Sequence, residues 1–268
     1  MAKERLIDLI REAVSDVARN GFSLTLLKYW TVRLEQAALL FRDTSESERR
    51  LAKSLSGLFD RKTSGNALKK AHLSVSKTTL QVIAPRLRPL LTERIMASAD
   101  LIRMNRNQSI DRTLERFAGW MSSVPVTGTS QNTKEVFTHI AKPLRSMSFE
   151  ERRLFIDQGH KLIANVNYVI ALQTDAIAGM WRHVHQAGYD GRPEHEARDG
   201  KWYVFRESWA HQDGFIGEGE GFIEDLDELP AMPVNCRCWF QFAQNLRDLP
   251  VSLLTAKGRT ELESARTA

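Results

Sequence analysis

Apolar residues recur at the three-to-four-residue spacing of one helix face from Ala2 to about Gln186, and the pattern stops near Gly188. Seven of the fifteen glycines and three of the six tryptophans fall between Gly188 and Trp239, where helical periodicity is absent. Trp202-Tyr-Val-Phe205 and Cys236-Arg-Cys-Trp-Phe-Gln-Phe242 read there as short strands. The change of character sets the expected fold class. It is α+β, with a helical region over 1–187, a small β-rich module over 188–245 and a polar tail over 246–268.

Within the helical region, Leu6, Leu9, Ile10, Ala13, Val14 and Val17 mark a first helix that Gly21 ends. A second runs from Ser23 to Phe41, and Ser45 with Glu48 reads as a capping box opening a third up to Phe59. Residues 60–77 are polar and carry no assignment. Pro85 and Pro89 punctuate the next stretch, after which Leu91, Ile95 and Ile102 mark one helix and Ile110, Leu114, Phe117 and Met121 another. Turn residues collect over 122–132, the expected loop or hinge. A short helix from Thr133 to Ala141 should stop before Pro143, since the residue ahead of a proline avoids helical geometry. Ser148 with Glu151 then opens the longest amphipathic pattern, from Phe155 through Ile177 and Trp181 to Val184, with Gly159 a break point. His183 and His185 stand at its C-terminal end, where an imidazolium suits the helix dipole.

Composition narrows the class of protein. With 42% hydrophobic and 26% charged residues among 268, the chain can bury a core. Two cysteines exclude a disulfide-dense scaffold and point to a reducing compartment. No signal peptide and no apolar run long enough to span a bilayer is readable. Lys and Arg total 38 against 33 for Asp and Glu, and a net charge of +5 permits contact with nucleic acid without requiring it. Seven arginines between Arg86 and Arg116 face four acids, which reads first as a solvated helix face and second as a phosphate- or partner-binding surface.

The sharpest chemical feature is Cys236-Arg-Cys238, with His195 and Asp199 in the same module. In an extended strand residues i and i+2 face one way, so two thiols so spaced can grip one ion. Zinc takes four ligands drawn from Cys, His and carboxylate: His195, Cys236 and Cys238, with one of Asp190, Asp199 or His211 as the fourth. The plainer reading is a hydrogen-bonded structural cluster with free thiols. An enzymatic reading makes His195 a general base oriented by Asp199, or Cys236 a nucleophile. No phosphate-cradling loop, G-x-S-x-G elbow or H-E-x-x-H helix supplies the rest of a site. Gly217-Glu-Gly-Glu-Gly221 is too acidic to hold phosphate and reads as a solvated loop.

In order as well as composition, the last third resembles the phage minor head protein family, the Mu F-like head morphogenesis proteins. The likeness runs over residues 160–242: the helix Val169-Ile-Ala-Leu-Gln-Thr-Asp175, then Asp190-Gly-Arg-Pro-Glu-His195 with Asp199-Gly200, and last Pro233-Val-Asn-Cys236-Arg-Cys238. Two features depart from the family: Gly188-Tyr-Asp follows the helix almost at once, and the insert from Arg206 to Leu229 is individual. The resemblance implies roles for Asp190, Arg192, His195, Asp199, Gly200, Cys236, Arg237 and Cys238 as a structural cluster. It also implies a noncatalytic virion protein of a tailed bacteriophage. Such a protein associates with the portal or the major capsid protein, assists head morphogenesis and DNA packaging or ejection, and contacts packaged DNA without sequence preference. Its location is the virion head, with the host cytoplasm during assembly. The alternative from a different class is a metal-dependent nuclease or hydrolase built on His195, Asp199, His211 and the two cysteines.

Overall fold

The computed structural model describes residues 2–184 and 191–267 and is α+β, as expected. His185, Asp190 and the expected boundary at 187 lie outside the described residues. The chain forms two compact units, one of residues 1–52 and 96–155, the other of 53–95 and 156–268. The strands share their unit with helices drawn from two separate stretches of the helical region.

The first unit is helical. Helix α1 (Ala2–Asn20) ends at Gly21, whose φ of +76° suits glycine, and a Cβ there would lie 2.2 Å from the Val126 carbonyl oxygen. Ser23 caps helix α2 (Leu24–Phe41) by accepting from the Leu26 N–H. Leu6, Ile10, Val14, Trp30 and Leu34 pack on Ile110, Phe117, Ile140 and Leu144 in one core. The expected loop spans 124–132 and is pinned to the α1–α2 corner, with Phe22 N–H donating to the Pro125 carbonyl and Thr129 N–H to that of Ala18. Helix α3 (Ser45–Lys62) opens one residue away from the expected box: the Glu48 carboxylate pairs with the Thr44 hydroxyl, and Asp43 takes the Ser45 N–H.

Three expected breaks do not occur. After α4 (Gly65–Ala71) and α5 (Lys77–Ile83), helix α6 runs unbroken over Arg88–Ser123, with Pro89 in its first turn, where no N–H is missed. Helix α7 runs unbroken over Thr133–Gln173, through both Pro143 and Gly159. Proline at 143 deprives the His139 carbonyl of its helical partner, and the Arg116 guanidinium of α6 donates to that oxygen at 2.9 Å instead. A tertiary hydrogen bond thus offsets part of the cost that ends most helices at such a residue.

Several arginines of 86–116 are engaged by neighbouring groups. In the first unit, Arg106 is 7% exposed, donates to Glu151, Ser47 and the Asp43 carbonyl, and lies over the Phe41 ring. Arg103 pairs with Glu48 and Asp100. In the second, Arg88 pairs with Asp60 and Arg94 donates to Gln158.

The long pattern expected to stay helical to Val184 ends at Gln173. The Thr174 hydroxyl donates to the Ile170 carbonyl and Asp175 adopts a φ of +50°, after which the chain is extended. Strand β1 (Ala178–Arg182) is the centre of a three-stranded antiparallel sheet between β2 (Trp202–Val204) and β3 (Trp239–Ala243). Trp181 pairs with Phe240, and Gly179 with both Phe242 and Tyr203. Since side chains alternate across a strand, these residues share a face, where Trp181, Tyr203, Phe205, Phe240 and Phe242 form one core. A Cβ on Gly179 would meet the Phe240 and Phe242 rings at 3.2–3.3 Å. On the other face Ala178, Val204 and Ala243 pack with Ile216, Leu246, Leu249, Leu253 and Leu254.

The polar tail is consequently more than an appendage. Its first half buries four leucines under the sheet, and its second half is helix α10 (Ala256–Thr267). The insert from Arg206 to Leu229 holds helix α9 (Trp209–Gln212) and likewise contributes to the core through Ile216 and Ile223, and Gly219 lies beside Tyr203 in a β-bridge. No helix among the described residues is long and apolar enough to cross a membrane.

Candidate functional site

Three separated pieces of chain meet beside the Trp181 face of the sheet. Helix α8 (Pro193–Ala197), started by a proline at its first position, carries His195. The residues leading into β3 carry Cys236 and Cys238, and His183 directly follows β1. His195 Nδ1 is 3.4 Å from Cys236 Sγ and 3.6 Å from Cys238 Sγ, and His183 Nδ1 is 3.4 Å from Cys238 Sγ. His195, Cys236 and Cys238 are 2%, 1% and 4% exposed. The cysteines are free thiols. They precede β3 rather than lying in it, so the strand argument for their common direction does not hold, although both do reach His195.

The surroundings explain the neighbouring residue types. The Pro233-Val-Asn-Cys turn closes with the Cys236 N–H on the Pro233 carbonyl, and Asn235, at φ +62°, occupies the left-handed position that asparagine tolerates. The Asn235 N–H donates to the buried Asp157 carboxylate of α7 at 2.6 Å, and Lys161 neutralises that carboxylate at 2.9 Å. Arg192 donates to the Val234 carbonyl. Asp199 accepts the His183 N–H at 2.8 Å, while Gly200, at φ +76°, donates to the Trp181 carbonyl. Gly191 leaves room for the His183 ring, which a Cβ at that position would meet at 2.6 Å. Trp181 presents its ring to the His195 edge at 5.3 Å and stacks under Arg198.

Two neighbouring thiols in a buried site do not ionise alike. The hydrogen bond from Cys238 holds the Cys236 thiol well below the ordinary thiol range, against the opposing effect of burial. Cys238 is pushed up by that same hydrogen bond and by burial. Without a cation the pair therefore favours one thiolate and one thiol, and a bound metal would release the second proton.

The donor set fits zinc. Tetrahedral geometry with ordinary zinc–sulfur and zinc–nitrogen bonds places N and S about 3.5 Å apart, against the observed 3.4 and 3.6 Å. The three donor atoms all lie within 4.8 Å of one another. His195 Nε2, the nitrogen facing away from the sulfurs, is buried with no hydrogen bond, and the Glu228 Oε2 lies 3.5 Å from it. A carboxylate behind the distal nitrogen is the usual support of a metal-bound imidazole.

Of the residues expected at the site, His195, Cys236 and Cys238 converge, with Asp199, Gly200 and Arg192 holding the backbone around them. Arg237 lies between the cysteines, and its charge helps burial to lower the pKa of His160. His211 is elsewhere, with its Nδ1 on the Arg206 carbonyl and its ring edge-on to Phe222. Asp190 lies outside the described residues. His183, Glu228 and Asp157 join the site without a signal in the sequence. Periodicity places His183 at a helix end that does not exist, and no spacing ties Glu228 or Asp157 to the cysteines. No protein-family model, curated protein or solved structure matches the chain.

Proposed function

We propose that the chain is a noncatalytic minor head protein of a tailed bacteriophage, in which a zinc clamp holds the sheet module in shape for docking on the portal or inner capsid. What carries the reading is the convergence of His195 with Cys236 and Cys238 across more than forty residues, in the order that the Mu F-like resemblance implies. A zinc there would tie helix α8 to the turn that leads into β3. His195, Cys236 and Cys238 would hold the ion. Zinc would supply a positive charge there that ties the thiolates and the imidazole together. Asp199, Asp157 and Glu228 position the ligands.

Burial favours a clamp over the hydrolytic alternative. A catalytic zinc keeps one position open to water and substrate, whereas these three ligands are at most 4% exposed and His211 stands apart from them. The cavity of about 400 Å³ beside β3 is lined by Tyr168, Trp239, Phe240, Arg94 and Lys161, with no histidine, cysteine or carboxylate among its described lining residues.

The test is quantitative mass spectrometry of the chain in DNA-filled particles and empty heads, normalised to the portal protein. It is paired with metal analysis of the purified chain and of Cys236→Ser and Cys238→Ser variants. A fixed low copy number in both particle types, one zinc per chain, and joint loss of zinc and incorporation in the variants are expected. Absence from both particles refutes the virion role. Metal-free chain that still incorporates fully refutes the clamp.

A further inference from the structure

Helix α2 carries an apolar stripe on its outer side. Trp30, Leu34, Ala37, Ala38 and Phe41 bury one face, yet Leu24, Val32 and Leu39 on another remain 68%, 51% and 67% exposed. A helix that is apolar on more than one face usually has a second neighbour.

The stripe is spaced as a helix-pairing seam: Leu24, Lys28, Thr31 with Val32, Glu35 and Leu39, in steps of three or four residues. It is also chemically symmetric about the point between Thr31 and Val32. Lys28 precedes Thr31 by three residues and Glu35 follows Val32 by three, while Leu24 and Leu39 lie seven residues out on either side. Two copies laid antiparallel across a two-fold axis at that point bring Lys28 of each against Glu35 of the other, and Leu24 against Leu39. Within one chain Lys28 and Glu35 are two turns apart, about 10 Å along the axis, too far to pair directly. Neither has an ion pair among the described residues. From Leu24 to Leu39 the seam is about 22 Å long at 1.5 Å per residue, or some four turns of contact.

We infer that the outer face of α2 pairs antiparallel with the α2 of a second copy, closing a two-fold dimer. The charge arrangement selects a second copy over an unrelated partner, because each cation finds its anion only when the same helix returns in the opposite direction. The inference stands apart from the zinc clamp, whose residues it does not use.

Sedimentation equilibrium on the full chain at concentrations up to about 100 μM tests it. The wild-type chain should dimerise, and Leu39→Asp should be monomeric with an unchanged circular dichroism spectrum. Lys28→Glu sets like charges against each other twice in the homodimer, as does Glu35→Lys, so each alone should weaken dimerisation about tenfold or more. An equimolar mixture of the two should recover the dimer as a heterodimer, and the double variant should recover it as a homodimer. A wild-type chain that stays monomeric throughout overturns the inference. So does a dimer indifferent to Leu39→Asp, or single charge variants whose mixture gains nothing.

Discussion

His72 gives the clearest stability prediction. It is fully buried between α4 and α5, its ring stacks on Phe242 of β3 at 5.5 Å and 17°, and its Nδ1 is 3.2 Å from the Gln244 amide. Burial pushes its pKa down from 6.5 to about 4, with the neighbouring Asn167 amide offsetting a little of this. In the unfolded chain the imidazole takes up a proton below pH 6.5; in the folded chain it does not until about pH 4. The contribution of this residue to stability is therefore full above pH 6.5, falls as the pH drops toward 4, and is constant below. A difference of this size at about 1.4 kcal/mol per pH unit amounts to about 3 kcal/mol. Carboxylates titrate over part of the same range, so the measurement is a comparison. Urea unfolding free energies of the wild type and of His72→Phe are followed from pH 7 down to about pH 4.5. Any fixed cost of losing the Gln244 contact cancels in the slope. The wild-type curve should fall more steeply by about 1 kcal/mol per pH unit between pH 6 and 4.5. Parallel curves would refute the claim that His72 is held neutral by burial.

Replacing Arg106 by Met should cost about 3 kcal/mol in a urea titration, because Glu151 is left partly buried without its cation. Arg106→Lys should recover little, since one ammonium cannot reach Glu151, Ser47 and the Asp43 carbonyl together. In Gly258→Ala the new Cβ would lie 2.0 Å from the Phe215 carbonyl oxygen, so α10 must move away, and limited proteolysis should cut the tail earlier than in the wild type. Arg116→Met should be less costly in a Pro143→Ala background, where the restored N–H satisfies the His139 carbonyl; additive effects would show that this hydrogen bond contributes nothing.

The first three helices and the His195–Cys236–Cys238 grouping were legible in the amino-acid order alone. Helical hydrogen bonds close within four residues, so Leu6 to Val17 and the Gly21 stop carry their own instruction. Thiols two residues apart with a histidine in the same module leave few chemistries to choose from. Strand β1 was illegible for an equally physical reason. Ile177, Met180, Trp181 and Val184 keep a helical spacing by coincidence, and a strand is defined by partners, here residues 202–204 and 239–243, that no local window contains. Tertiary structure alone decided that α7 continues through Pro143, because the replacement donor is Arg116 on another helix. It alone brought His183, Glu228 and Asp157 to the cysteines, through contacts spanning 55 residues from His183 to Cys238 and 78 from Asp157 to Asn235. Periodicity determines what each segment can bury, whereas which buried surfaces meet depends on the closure of long loops, and a local pattern does not encode that.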